Sequence, residues 1–270
     1  MSKTRWLVPA VAALVLLAAP HAALAQDDGG PQYLIVQYDQ VDPSHAADFE
    51  ANAREWVAAF GGAEMGPEWT WLAFSNQNFT YAWVMLMPDY AFLDTMEARQ
   101  KEVVEKIGEE KLAVLLPGLK YLRSNRSEIL KVEPELSYDP QDSAAKDPTF
   151  SVVGTHYVKP AMDEKFRELV KKVVAAFEKV EAPLGFDAYK VAFGQGSYMF
   201  VSSADSAGQL YSDPGTGAYL AEAYGAETAQ AMYQEWASCI TDYETANWNS
   251  RKELSYDPAA AASEGEGDTE

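Results

Sequence analysis

Two stretches of the chain repeat one order of apolar and polar positions. Tyr33 to Asp39 (YLIVQYD) is β-branched and partly alternating, which predicts a strand. Ser151 to Val158 (SVVGTHYV) predicts another. A break at Pro43 or Pro160 follows each. Phe49, Ala53, Trp56, Val57 and Phe60 then recur at helical spacing, as do Phe166, Leu169, Val170, Val173, Val174 and Phe177. Lys165, Arg167, Glu168, Lys171 and Lys172 occupy the opposite, solvated face of the second of these helices. Ser44 and Asp163 stand where an N-cap is useful. Hairpins come next: 69–75 with 79–87 around Asn76-Gln77-Asn78, and 187–193 with 197–203 around Gly194-Gln195-Gly196. A second helical region spans Tyr90 to Leu116 in the first half. In the second half it spans about Ala226 to Tyr243, after an insertion near Ser212. A last extended segment closes each half.

The halves also share words. Glu135-Leu136-Ser137-Tyr138-Asp139-Pro140 recurs as Glu253-Leu254-Ser255-Tyr256-Asp257-Pro258, 118 residues on. At an offset of 117, Val57-Ala58-Ala59-Phe60 falls on Val174-Ala175-Ala176-Phe177, and Tyr81 falls on Tyr198. Such coincidence reads as a duplication. The expected organisation is a signal peptide at 1–25, a disordered leader at 26–31 and a ferredoxin-like repeat at 32–140. A linker at 141–148, a second repeat at 149–258 and a disordered acidic tail at 259–270 complete it.

The order β-α-β-β-α-β, twice, is the ferredoxin-like pattern, and the fold class is α+β. Each four-stranded sheet covers one face with helices and leaves the other bare. Phe79, Tyr81, Trp83 and Met85 are assigned to the bare face, as are Tyr198 and Phe200. Ala82, Val84, Leu86, Met199 and Val201 are assigned to the helix side. Two such bare faces can bury each other in an α+β barrel. The doubled unit, the long second helix and the aromatic face resemble the dimeric α+β barrel superfamily. That group includes antibiotic-biosynthesis-monooxygenase-like proteins, stress-responsive barrel proteins and haem-binding chlorite-dismutase-like proteins. The resemblance covers about 32–258 and is architectural. It implies a ligand or cofactor site between sheet and helices or inside the barrel, with haem as one possible cofactor. Fold alone does not establish function.

The N-terminus changes the picture of where the protein works. Lys3 and Arg5 precede the apolar run Trp6 to Ala19. Pro20 and Ala23-Leu24-Ala25 follow, which predicts a secretory signal cleaved before Gln26. The expected location is periplasmic or secreted, with no membrane association after processing. Lys+Arg is 21 against 41 Asp+Glu, for a net charge of −20. Cleavage removes two positive charges and leaves −22. Such a surface argues against nucleic-acid partners. A lone Cys239 excludes an intrachain disulfide and any Cys-based zinc cluster, and is expected to be buried.

Candidate chemistry is sparse. No G-x-S-x-G, H-E-x-x-H, Walker A or Rossmann fingerprint occurs, and no metal site is expected. His156 is the one histidine inside a predicted element, and Asp39 stands 117 residues before it. Histidine titrates near neutrality, so it could ligate or exchange protons. Tyr81 and Tyr198 would need partners for buried hydroxyls. Trp71 and Trp83 could stack on a flat molecule. Tyr81, Tyr198, His156, Trp71 and Trp83 are therefore the candidate ligand-binding residues; no catalytic residue is assigned. Lys190 is a further polar group beside Tyr198. The expected function is an exported barrel, non-catalytic or binding a small organic ligand, as monomer or homodimer. The resemblance implies the alternative of a cofactor-free monooxygenase-like or haem-binding enzyme.

Overall fold

The computed structural model describes residues 32–194 and 196–258. The expected signal peptide, its cleavage before Gln26, the leader, the acidic tail and Gln195 lie outside the described residues. The described residues divide into two compact units: 32–128 with 251–258, and 129–194 with 196–250.

In the first unit, β1 (Tyr33–Val41) pairs antiparallel with β3 (Thr80–Met87), which pairs with β2 (Leu72–Ser75). The β2–β3 turn is built by Asn76, whose Oδ1 accepts from the amides of Asn78 and Thr80. Phe79 takes up the positive φ of 58° and is left partly exposed. Helix α1 (Ala46–Gly62) buries Phe49, Ala53, Trp56 and Phe60, one stripe at helical spacing. Asp42, rather than Ser44, is a capping residue here, at the 3-10 turn Pro43–His45 that leads into α1: its carboxylate accepts from the Ser44 amide, and α1 itself has no side-chain cap. The long second helix expected over Tyr90 to Leu116 is two helices, α2 (Met96–Ile107) and α3 (Glu109–Leu115). Gly108 separates them at φ +86°, a conformation that side chains resist. Strand β4 (Leu122–Val132) then leaves this unit.

The second unit orders its strands β8-β5-β7-β6-β4. These are β5 (Phe150–Val158), β6 (Asp187–Val191), β7 (Ser197–Ala204) and β8 (Ile240–Ser250), with the end of β4 on β6. Helix α4 (Asp163–Lys179) buries Phe166, Leu169, Val170, Ala176 and Phe177. The insertion forms α5 (Ala207–Ser212) and α6 (Gly215–Tyr224). α7 (Ala226–Cys239) stops before residue 243 because the chain turns extended at Ile240. Cys239 is a free thiol, buried with Leu136, Val158 and Phe166. Both halves thus read β-α-β-β-α-β, an α+β arrangement.

One face assignment is reversed. Tyr81 and Trp83 lie against Phe49 of α1, with ring centroids 4.9 and 6.2 Å apart. Tyr198 and Phe200 likewise meet Phe166 of α4 at 5.1 and 6.2 Å. The aromatics are on the helix side of the sheet, not the bare side. Alternation fixes which residues share a face but not which face the helix covers, so the whole set exchanges sides together.

The hexapeptides occupy unexpected places. Each begins inside a short 3-10 turn, Pro134–Leu136 or Lys252–Leu254, and makes a one-pair bridge through its tyrosine rather than simply closing its strand. Tyr138 bridges Phe186, with both amide bonds at 2.9 Å, and Ser137 Oγ accepts from the Ala188 amide. Tyr256 bridges Trp71 through bonds of 2.8 and 3.0 Å, and Ser255 Oγ accepts from the Ala73 amide. So 135–140, from the first half of the sequence, packs in the unit of the second, and 253–258 packs in the unit of the first. The compact unit and the sequence repeat are different divisions of the chain.

Candidate functional site

A cavity of about 40 Å³ lies in the first unit between α1 and the sheet. Phe49, Ala53, Trp56 and Phe60 of α1 form one wall, Gln37, Asp39, Trp71 and Trp83 the other, and Gly118 and Leu119 close an end. That volume holds about three waters and is smaller than the roughly 150 Å³ an aromatic ring occupies, so a ring enters only as the walls move apart. Gly118 lets Asn52 approach closely: a Cβ there would clash with the Asn52 side-chain amide. Asn52 is in turn fixed by donating to the Leu115 carbonyl at 3.0 Å.

Two polar groups give this apolar pocket its chemistry. Asp39 is 3% exposed, with Gln37 Nε2 donating to Oδ1 at 3.0 Å and Trp83 Nε1 donating to Oδ2 at 2.8 Å. The strand register arranges this: Gln37 is directly opposite Trp83, and Asp39 opposite Tyr81. Burial raises the Asp39 pKa to about 6, and the two donated bonds only partly oppose it. Each carboxylate oxygen still has a lone pair to offer. The second group is Trp56, 4% exposed, whose Nε1 donor has no partner. An unmade bond of this kind normally costs about 1–3 kcal/mol.

The sequence-chosen residues separate into two groups. Trp71 and Trp83 line the cavity. The Trp71 Nε1 is already engaged by the Leu254 carbonyl at 2.7 Å, so it offers a ring face only. Tyr81 lies beside these walls, but its hydroxyl donates to Glu50 at 2.7 Å, and burial raises its pKa to about 12. Tyr198 and His156 belong to the second unit and do not line the cavity. The Tyr198 hydroxyl donates to Asp163 at 2.9 Å. Lys190 donates to Asp163 at 2.8 Å, so it serves an ion pair rather than a cavity. Sequence reasoning passed over Asp39, Gln37 and Trp56 as site residues. The signal was present: Gln37 and Asp39 are two polar residues on the strand face they share with Tyr33, Ile35 and Val41.

At the corresponding place of the second unit the space is filled. His156 stands opposite Tyr198 and Gly154 opposite Phe200, as Asp39 and Gln37 stand opposite Tyr81 and Trp83. Phe200 and Tyr243 approach the imidazole at centroid distances of 5.0 and 4.8 Å, Phe166 and Trp236 at 5.7 Å. Trp236, 118 residues after Gly118, donates its Nε1 to His156 Nδ1 at 2.9 Å. Burial lowers the His156 pKa to about 4, so the ring is neutral at physiological pH. A haem does not fit these histidines. His156 Nδ1 is an acceptor already occupied, and four aromatic rings cover its surroundings. His45 is exposed, paired with Asp48 and stacked on Tyr121. Among the described residues no group of three or more His, Cys, Asp or Glu could hold a metal ion. No helix among them is long and apolar enough to cross a membrane.

No protein-family model matches the chain, and no curated protein sequence matches it. Solved structures do. An anthrone oxidase-like protein superposes with a TM-score of 0.53 at 12% identity, covering 83% of this chain and 92% of its own. A protein described provisionally as a monooxygenase, from Fusobacterium nucleatum, gives 0.52 at 16%, covering 82% and 93%. A mutant chlorite dismutase from Candidatus Nitrospira defluvii gives 0.51 at 9%, covering 86% and 96%. At such identities the likeness is one of fold: the chain has the fold of the dimeric α+β barrel proteins.

Proposed function

We propose that this protein binds a compact, planar organic molecule in the cavity beside Asp39, which widens to receive it. The observation that carries the reading is the unpartnered Trp56 donor in an aromatic cavity that also holds a desolvated carboxylate. A fitting ligand offers an acceptor to Trp56 Nε1, a weakly acidic O–H or N–H to Asp39, and a flat body to the Trp71 and Trp83 rings. Phenolic and enolisable carbonyl compounds combine these features. The test is native mass spectrometry and thermal shift with such compounds. Trp56→Phe, which keeps the ring surface and removes the donor, should weaken binding about tenfold. Equal affinity in wild type and Trp56→Phe overturns the assignment.

A second reading is oxidation of the bound molecule by O₂, and one observation favours it. A carboxylate with a pKa of about 6 can take a proton from a phenol or enol near neutrality, leaving an electron-rich anion. Structural likeness to oxidase-like and monooxygenase-like proteins is compatible with that chemistry but does not require it. Oxygen uptake that depends on the compound and disappears in Asp39→Asn is the expected result; uptake unchanged in Asp39→Asn counts against it.

The protein is further proposed to arise by duplication of a ferredoxin-like unit and to be exported, on the Lys3/Arg5, apolar and Ala-Leu-Ala pattern. The intact mass of secreted material should begin at Gln26.

A further inference from the structure

Two ion pairs hold the docked segments, and their signs are opposite. In the first unit Arg251 Nη1 donates to Glu50 Oε1 at 2.6 Å. In the second, Arg167 Nη1 donates to Glu133 Oε2 at 2.7 Å. Arg167 stands 117 residues after Glu50, and Arg251 stands 118 after Glu133. These are the offsets that relate the two VAAF tetrapeptides and the two hexapeptides. The helix carries the acid and the segment the base in one unit; in the other the roles are exchanged.

The surroundings have changed in step. Glu50 Oε1 also accepts the Tyr81 hydroxyl. At the matching tyrosine, Tyr198, the helix offers an arginine, which cannot accept. The hydroxyl there donates instead to Asp163, which is charge-balanced by Lys190. The position 117 residues before Asp163 is Ala46, so this acceptor exists only where the reversal needs one. Glu133 is buried, and its partner Arg167 is mostly so. A reversal of one partner alone would leave a buried like-charge pair, which proteins tolerate poorly.

We infer that the reversed pairs decide which segment docks on which helix. Glu133 is matched to Arg167 and would meet a carboxylate at Glu50. Arg251 is matched to Glu50 and would meet a guanidinium at Arg167. The same clash faces a second copy of the chain that presents its first half to this first half. The pairs therefore select unlike halves for one another, by repulsion of the wrong match as much as by attraction of the right one.

The test uses the full-length chain in three variants. E133R/R251E makes both observed pairs like-charged while leaving the Tyr81 and Tyr198 bonds alone. E133Q/R251Q removes the pairs without repulsion. E133R/R251E/E50R/R167E restores attraction with the signs exchanged. The first should melt about 5 °C below the neutral variant at low salt and show dimers or larger species by light scattering. The quadruple variant should recover at least half of that loss and the wild-type mass. The inference is overturned if E133R/R251E matches the neutral variant in midpoint and mass, or if the quadruple variant is no better than E133R/R251E. Comparing the variants with one another keeps the test decisive even where E133R/R251E fails to fold.

Discussion

Asp39 and His156 stand 117 residues apart in the sequence, and burial moves their pKa values in opposite directions. Asp39 is raised, so the folded state holds its proton more tightly than the unfolded chain. Its ionisation costs stability as pH rises through about 6, and the cost is absent below the ordinary carboxylate range. A displacement from 3.8 to about 6 corresponds to about 3 kcal/mol above pH 6. Asp39→Asn should therefore raise the melting temperature at pH 7–8, with the gain fading toward pH 4. A gain that is equal at both pH values contradicts the assignment. His156 is lowered to about 4, so the unfolded chain takes up a proton first and stability is lost as pH falls from about 6.5 to 4. In the wild type the two slopes oppose each other over about pH 4–6. His156→Gln should remove the acid-side loss and expose the Asp39 slope alone; a pH–stability curve unchanged by the substitution would be evidence against burial as the cause. A carboxylate held at such a cost is what a binding group looks like energetically, since stability and function often conflict at one residue.

Elements explain how the two halves differ beside the sheet. Gly118 ends a pocket, and Trp236 fills the corresponding space against His156. Trp236→Ala should cost about 3 kcal/mol and open a second void beside His156, which xenon or a small aromatic can enter. A crystal structure of that variant with no added density in the second unit contradicts the plug. The docked hexapeptides give another test. A Cβ at Gly185 would clash with the Tyr138 carbonyl, so Gly185→Ala should destabilise by about 2 kcal/mol. Amide exchange should speed up first at Tyr138 and Phe186; protection retained at both would show that the bridge survives. Periodicity announced the strands, α1 and α4 because their apolar stripes are continuous. It missed the break at Gly108, which a helical pattern crosses without interruption. It placed Tyr81 and Trp83 on the wrong side because alternation carries no information about what lies opposite a face.

For the whole chain, the α+β fold was legible from element order, and the site was legible in part. Trp71 and Trp83 were found because large aromatics advertise themselves. Asp39 was noticed only as the counterpart of His156, and Trp56 only as one of a helical stripe. Their importance comes from desolvation and from a missing partner, which belong to the folded environment and not to the residue type. The exchange of the hexapeptides was invisible for a similar reason: the recurrence identifies the segments but not where each one docks. The central claim is that the cavity beside Asp39 receives a ligand through the Trp56 N–H. The most direct measurement is the assigned indole ¹H–¹⁵N spectrum during titration with a planar phenolic or enolisable carbonyl compound that native mass spectrometry finds bound. The expected result is a saturable shift of the Trp56 and Trp83 signals, with Trp236 and Trp248 unmoved. A bound compound that leaves the Trp56 signal in place, or that moves Trp236 instead, contradicts the account.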